Sequence, residues 1–173
     1  MTKIDLKSSV FVLLFFVCSN GCLGQKLNTH GELLKVLSLD KKDKVISFNN
    51  SNKEYGKVFD YLKYLGTLIS SDGASYKVIT LTTIWGNNHH TINYLYIYSS
   101  DNDFVGKYKY LLKDELPIKI EDNKLVYFQR DEYGQLDRRA YAYVTFLDGP
   151  PKIICPGCDS PNDGNGSEII KEE

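Results

Sequence analysis

A chain of 173 residues with a formal net charge of −1 is long enough for one domain with its own core, and it lacks the basic excess that a nucleic-acid partner needs. Thirteen tyrosines stand against one methionine and one tryptophan. Tyrosine favours strands, where its ring packs and its hydroxyl stays wet, so the composition points to a half-buried sheet.

The chain opens like an export signal. Lys3 and Lys7 lead into the apolar run Val10–Val17, and Ser19, Gly21 and Gly24 follow as small residues. The run is far shorter than the roughly 20 residues of a spanning helix. Two cuts fit. One falls after Gly24 and makes residues 1–24 the signal. The other falls after Gly21 and leaves Cys22 as a lipidated N-terminus, which ties the protein to the outer membrane. The expected location is therefore exported: periplasmic, secreted or lipid-anchored. Cleavage after Gly24 removes Lys3, Asp5 and Lys7 and moves the formal charge from −1 to −2.

Residues 25–154 read as one β-rich domain. Thr29 is placed to cap a short helix through Leu33, Leu34, Val36 and Leu37, with Glu32 completing a capping box. A strand is expected over 44–48, and Asn49-Asn50-Ser51-Asn52 has turn composition. Residues 53–65 suit a helical face or an extended chain, with extended structure favoured in the second half. The β signal then strengthens. Ser71-Asp72-Gly73 turns into a strand over 76–85 whose two faces are both mixed, as in a sheet covered on both sides. Gly86-Asn87-Asn88 turns into 91–99, where Tyr94, Tyr96 and Tyr98 oppose Leu95 and Ile97. Asp101-Asn102-Asp103 turns again, and 104–111 places Tyr108 and Tyr110 on one face.

Pro117 ends that meander. Short strands are expected at 118–120 and 124–129, and a polar loop at 130–138. In 139–146, Ala140, Ala142, Val144 and Phe146 oppose Tyr141, Tyr143 and Thr145. A short edge segment at 152–154 leads into Cys155 and Cys158, and the polar, glycine-rich residues 159–173 are expected to be disordered. About seven strands joined by short turns make a mainly β fold, an antiparallel meander closing as a small sandwich or barrel.

Three features are candidates for chemistry. Cys155-Pro156-Gly157-Cys158 suits a disulfide in an oxidising compartment. Thiol–disulfide catalysis is the alternative, though no helix is predicted to lower a thiol pKa there, and a zinc site lacks a second ligand pair. The loop at Trp85, His89 and His90 carries the only tryptophan and two of the three histidines. It reads either as a core indole beside a turn or as a recognition patch; adjacent histidines on a strand diverge and do not chelate one metal. The tyrosine rows 94/96/98, 108/110 and 141/143 either stabilise the sheet or build a platform for a glycan or protein. Asp72, Asp101, Asp103, Asp122 and Asp148 are accounted for by turn chemistry. No phosphate loop, nucleophile elbow or catalytic triad spacing is present, and no cofactor or metal is expected.

Several short motifs resemble a group of small exported proteins of the Bacteroidota. They are Tyr-Leu-Gly-Thr at 64–67, Tyr-Lys-Val at 76–78, Trp85-Gly86 with His89, Phe104-Val105-Gly106-Lys107-Tyr108, Leu116-Pro117-Ile118-Lys119-Ile120 and Asn123-Lys124-Leu125-Val126. Gly24-Gln25 is similar to the signal ends of that phylum. The resemblance covers about a third of the chain; it implies export and a β-rich domain and carries no activity. The functional expectation is an exported, non-enzymatic binding or interaction domain for a protein or glycan. The alternatives are a thiol–disulfide enzyme through Cys155 and Cys158, or an envelope scaffold anchored through Cys22.

Overall fold

The computed structural model describes residues 29–52, 56–131, 133–156 and 166–171. The signal segment, Cys18, Cys22 and Cys158 lie outside these residues. The described chain holds one helix, α1 (Thr29–Leu39), and ten strands: β1 (Val45–Asn52), β2 (Gly56–Ile69), β3 (Ser75–Trp85), β4 (His90–Ser99), β5 (Phe104–Tyr110), β6 (Lys119–Glu121), β7 (Lys124–Arg130), β8 (Leu136–Val144), β9 (Ile153–Ile154) and β10 (Ser167–Ile170). A single 3-10 turn at Lys113–Glu115 leads up to Pro117.

All strand pairs are antiparallel. Seven form one sheet in the order β1-β2-β3-β4-β5-β10-β9, and three form a second in the order β6-β7-β8. The sheets do not close into a barrel, so of the two expected architectures the sandwich is the one that fits.

The large sheet is the middle layer, and its period-2 alternation divides two cores. On one face Leu62, Tyr64, Ile79, Leu81, Tyr96 and Tyr98 pack under Leu33, Val36 and Leu37 of α1. On the other, Leu68, Val78, Leu95, Ile97 and Tyr108 meet Leu125 and Tyr127 of the small sheet, with Phe146 beyond it. Burial on both faces explains why β3 showed no polar side in sequence. Between Tyr64 and Gly66 the β2–β3 register shifts by one residue, so Leu65 is a bulge; Gly66 follows at φ +122, a conformation only glycine adopts without strain. The two sheets are also tied by polar contacts. The Asn123 side chain brackets Ile69, accepting from its N–H and donating to its carbonyl at 2.7 Å each, as a neighbouring strand would. Lys63 Nζ donates to the Ile118 carbonyl at 2.7 Å.

Four expectations are corrected. Glu32 forms no capping box: its Oε1 accepts from Asn50 Nδ2 at 2.8 Å, across the helix–sheet interface. Asn49–Asn52 is strand, because β2 continues to Gly56 and supplies a partner for each residue. The expected loop at 130–138 ends early, with β8 starting at Leu136. Ser167–Ile170, expected to be disordered, is β10, and it lies between β5 and β9. Gly106 of β5 makes room for it: a Cβ there would stand 2.6 Å from the side chain of Ile169.

Candidate functional site

The β3–β4 hairpin gathers the three residues singled out in sequence. Trp85 ends β3, His90 begins β4, and the two are cross-strand partners with ring centroids 5.9 Å apart. Asn87, Asn88 and His89 form the tip, where His89 takes φ +51 and its N–H donates to the Gly86 carbonyl at 3.3 Å. Trp85 and His89 line a shallow groove of about 410 Å³ with Phe59 and Ile84, while His90 lies against the indole. Trp85 is half-buried rather than core, and both histidines are exposed. The third histidine, His30, is on α1 near the Tyr98 ring. Among the described residues no three His, Cys, Asp or Glu side chains form a group able to hold a metal.

Sequence reasoning missed a pair of acids under α1. Asn50 Nδ2 donates both to Glu32 Oε1 at 2.8 Å and to Asp60 Oδ2 at 3.0 Å, and the Thr83 hydroxyl donates to Asp60 Oδ1. Asp60 is 1% exposed and Glu32 9%. Glu32 Oε2 is buried with no hydrogen-bond partner among the described residues. Burial raises the Glu32 pKa first, and the neighbouring Asp60 adds to the shift. The pair lies between helix and sheet. Positions 32, 50 and 60 are too far apart in sequence for spacing to have shown it.

Where the two sheets diverge, Lys109, Tyr110, Glu115, Tyr127, Phe128 and Arg130 line part of a cleft of about 770 Å³. The Tyr110 and Tyr127 hydroxyls lie 3.2 Å apart at its floor. Desolvation pushes the phenols of Tyr108, Tyr110 and Tyr127 up, so they are neutral hydrogen-bonding groups rather than bases. Arg130 is already engaged: Nη1 donates to the Gly134 carbonyl at 2.8 Å, and Nη2 lies 3.4 Å from Asp114 and 3.6 Å from Glu115. Cys155 is half-buried on the cleft wall. Cys158 lies outside the described residues, so its pairing with Cys155 stays an expectation of the sequence.

The small sheet presents the other unusual surface. Its inner side chains fill the inter-sheet core; its outer face carries Val126 and Phe128 of β7 opposite Tyr143 and Tyr141 of β8. Phe128 and Tyr141 stack with ring centroids 5.8 Å apart at 27°. Lys124 Nζ lies 5.7 Å from the Tyr143 ring centroid, within cation–π range. Lys119 borders the same face; its ammonium donates to Glu121 Oε1 at 3.0 Å, and that bond is the main cause holding its pKa up. Val126 is fully buried beneath these rings, yet Tyr141 remains 43% exposed and Tyr143 54%. The sequence marked the tyrosines by their alternation; Phe128 was missed, because periodicity within one strand does not say which residue of the next lies opposite.

No protein-family model, curated protein or solved structure matches the chain. Among the described residues no helix is long and apolar enough to cross a membrane.

Proposed function

We propose that this chain is an exported, non-enzymatic binding domain and that the outer face of the β6-β7-β8 sheet is its contact surface. Export is supported by the charged start, apolar run and small-residue exit of residues 1–24. The binding role is supported by one observation above all: Tyr141 and Tyr143 are left in solvent, side by side, on a sheet whose other face is core. Large aromatic rings held rigidly on a strand offer wide contact area at small cost in side-chain entropy, and their polar tips suit a glycan or a protein surface. The Trp85/His90 hairpin and its groove form a second, smaller aromatic surface on the large sheet.

The test is a glycan array and a pull-down from envelope extract, each run with the natural chain and with the double variant Tyr141→Ala/Tyr143→Ala. The natural chain is expected to return a specific partner, and the variant to bind it at least about tenfold more weakly while keeping its melting temperature. Retention of full affinity by the variant places the contact elsewhere. A natural chain that binds neither glycan nor protein overturns the reading.

A further inference from the structure

The cleft between the diverging sheets holds two buried phenols whose hydrogen bonding is incomplete. Tyr110 of β5 is 5% exposed and Tyr127 of β7 1%, and their hydroxyls lie 3.2 Å apart at the floor. Burial raises both phenol pKa values, so each oxygen keeps its hydrogen at neutral pH. Two hydrogens are therefore present, and the contact between the hydroxyls uses one of them. Whichever phenol donates, the other is left with an O–H to give.

No acceptor for that hydrogen stands among the described residues. Glu115, on the cleft wall, turns its carboxylate elsewhere: Oε2 accepts from the Leu111 and Leu112 N–H groups at 3.1 and 3.0 Å, and Oε1 lies 3.6 Å from Arg130. The Tyr108 hydroxyl donates to the Pro151 carbonyl. A buried donor of this kind is met by water or by a ligand. The volume suits a ligand. About 770 Å³ lies within the range of roughly 300–1,000 Å³ typical of small-molecule sites, and it far exceeds the roughly 30 Å³ of one water.

We propose that this cleft binds a small, uncharged ring molecule whose carbonyl or ether oxygen accepts the spare phenolic hydrogen of the Tyr110–Tyr127 pair. The apolar lining sets the body of the ligand. Leu111, Phe128 and Ile154 line the cleft together with the two phenols, and a ring packs well against such a wall. The charges of the lining set its neutrality. Asp114, Glu115 and Glu168 outnumber Lys109 and Arg130, and Arg130 is already held by Asp114 and Glu115, so an anion is disfavoured. A cation would meet only a donor at the floor, where a buried charge needs a partner of opposite sign. The site goes beyond the outer-face reading and uses neither Tyr141 nor Tyr143.

Amide chemical-shift titration of the exported chain with 1-indanone and with indane tests this, since the two probes share a ring frame and differ by one carbonyl oxygen. Indanone is expected to shift the amides of Tyr110, Leu111, Tyr127 and Ile154. It is expected to bind at least about threefold more tightly than indane, the worth of one net hydrogen bond. In the variant Tyr110→Phe/Tyr127→Phe the rings remain and both hydroxyls go. There indanone is expected to fall to the affinity of indane, while indane binds as before. Both phenols must go, because either one alone still has a hydrogen to give. The comparison of the two probes on the natural chain stands whether or not the variant folds. An indanone that leaves the amides unmoved, with water as the sole occupant, overturns the proposal. So do equal affinities for the two probes, shifts centred on the Trp85 groove instead, or a preference for indanone that survives the double variant.

Discussion

The two sheets hold the same residue at the same spacing under opposite conditions. On the large sheet Tyr96 and Tyr98, two residues apart on β4, lie beneath α1 and are 8% and 0% exposed. On the small sheet Tyr141 and Tyr143, two residues apart on β8, are 43% and 54% exposed. The strands follow the same alternation; the layers around them differ. The large sheet has a helix on one side and a sheet on the other, so both of its faces are core. The small sheet has one covered face. Alternation thus decides which residues share a side, and the number of layers decides whether that side is packed or offered to solvent.

Truncation is the most direct way to break this contrast. Tyr127→Ala, which empties a fully buried site between the sheets, is expected to cost about 3–5 kcal/mol in urea unfolding, whereas Tyr143→Ala is expected to stay within about 0.5 kcal/mol. Equal losses would mean that the outer face is packed after all. A finer test removes only oxygen. Tyr127→Phe leaves the buried Tyr110 hydroxyl without its partner and is expected to cost about 1–3 kcal/mol, while adding Tyr110→Phe recovers part of that loss. The sign of the recovery in a double-mutant cycle is the readout.

The helix-covered face carries a pH signature through its buried acid. Burial raises the Glu32 pKa in the folded protein, so the fold binds the proton more tightly than the unfolded chain does. The associated stability is fully present below the ordinary carboxylate range and is lost as the pH rises through the raised value. Glu32→Gln keeps the acceptor for Asn50 and removes the charge. Its melting temperature is expected to exceed that of the natural chain at neutral pH, and the gap is expected to close below the ordinary carboxylate range, near pH 3. A gap that widens in acid would reverse the assignment. The smallest effect is expected from Lys124→Ala, which removes the cation over Tyr143 and is expected to change stability by about 0.5 kcal/mol or less.

What the sequence made legible was local. The turns at 71–73, 86–88 and 101–103 declare themselves by composition, and the two faces of β3, β4 and β8 follow from alternation. Non-local pairing was hidden. Asn49–Asn52 has turn composition and is a strand because β2 lies beside it. Ser167–Ile170 has four residues and a polar approach, too little for a periodic signal, and it becomes a strand by pairing Ile169 with Tyr108. The same limit governs the sites. Trp85, His89 and His90 stood out by rarity and proximity, and the hairpin does bring them together. Phe128 under Tyr141, and Asn50 between Glu32 and Asp60, are cross-element contacts that no spacing rule announces.

The place of β10 sets an order of assembly. It is the last of the described strands to leave the ribosome, yet it occupies an interior position, with β5 on one side and β9 on the other. A nascent chain that has reached Gly166 has already made every other described strand, but β9 has nothing to pair with, since β10 is its sole described partner. The large sheet therefore cannot close progressively from its N-terminal end, as meanders do; it waits for Ser167–Ile170, and a chain stopped short of that strand would stay open along β5.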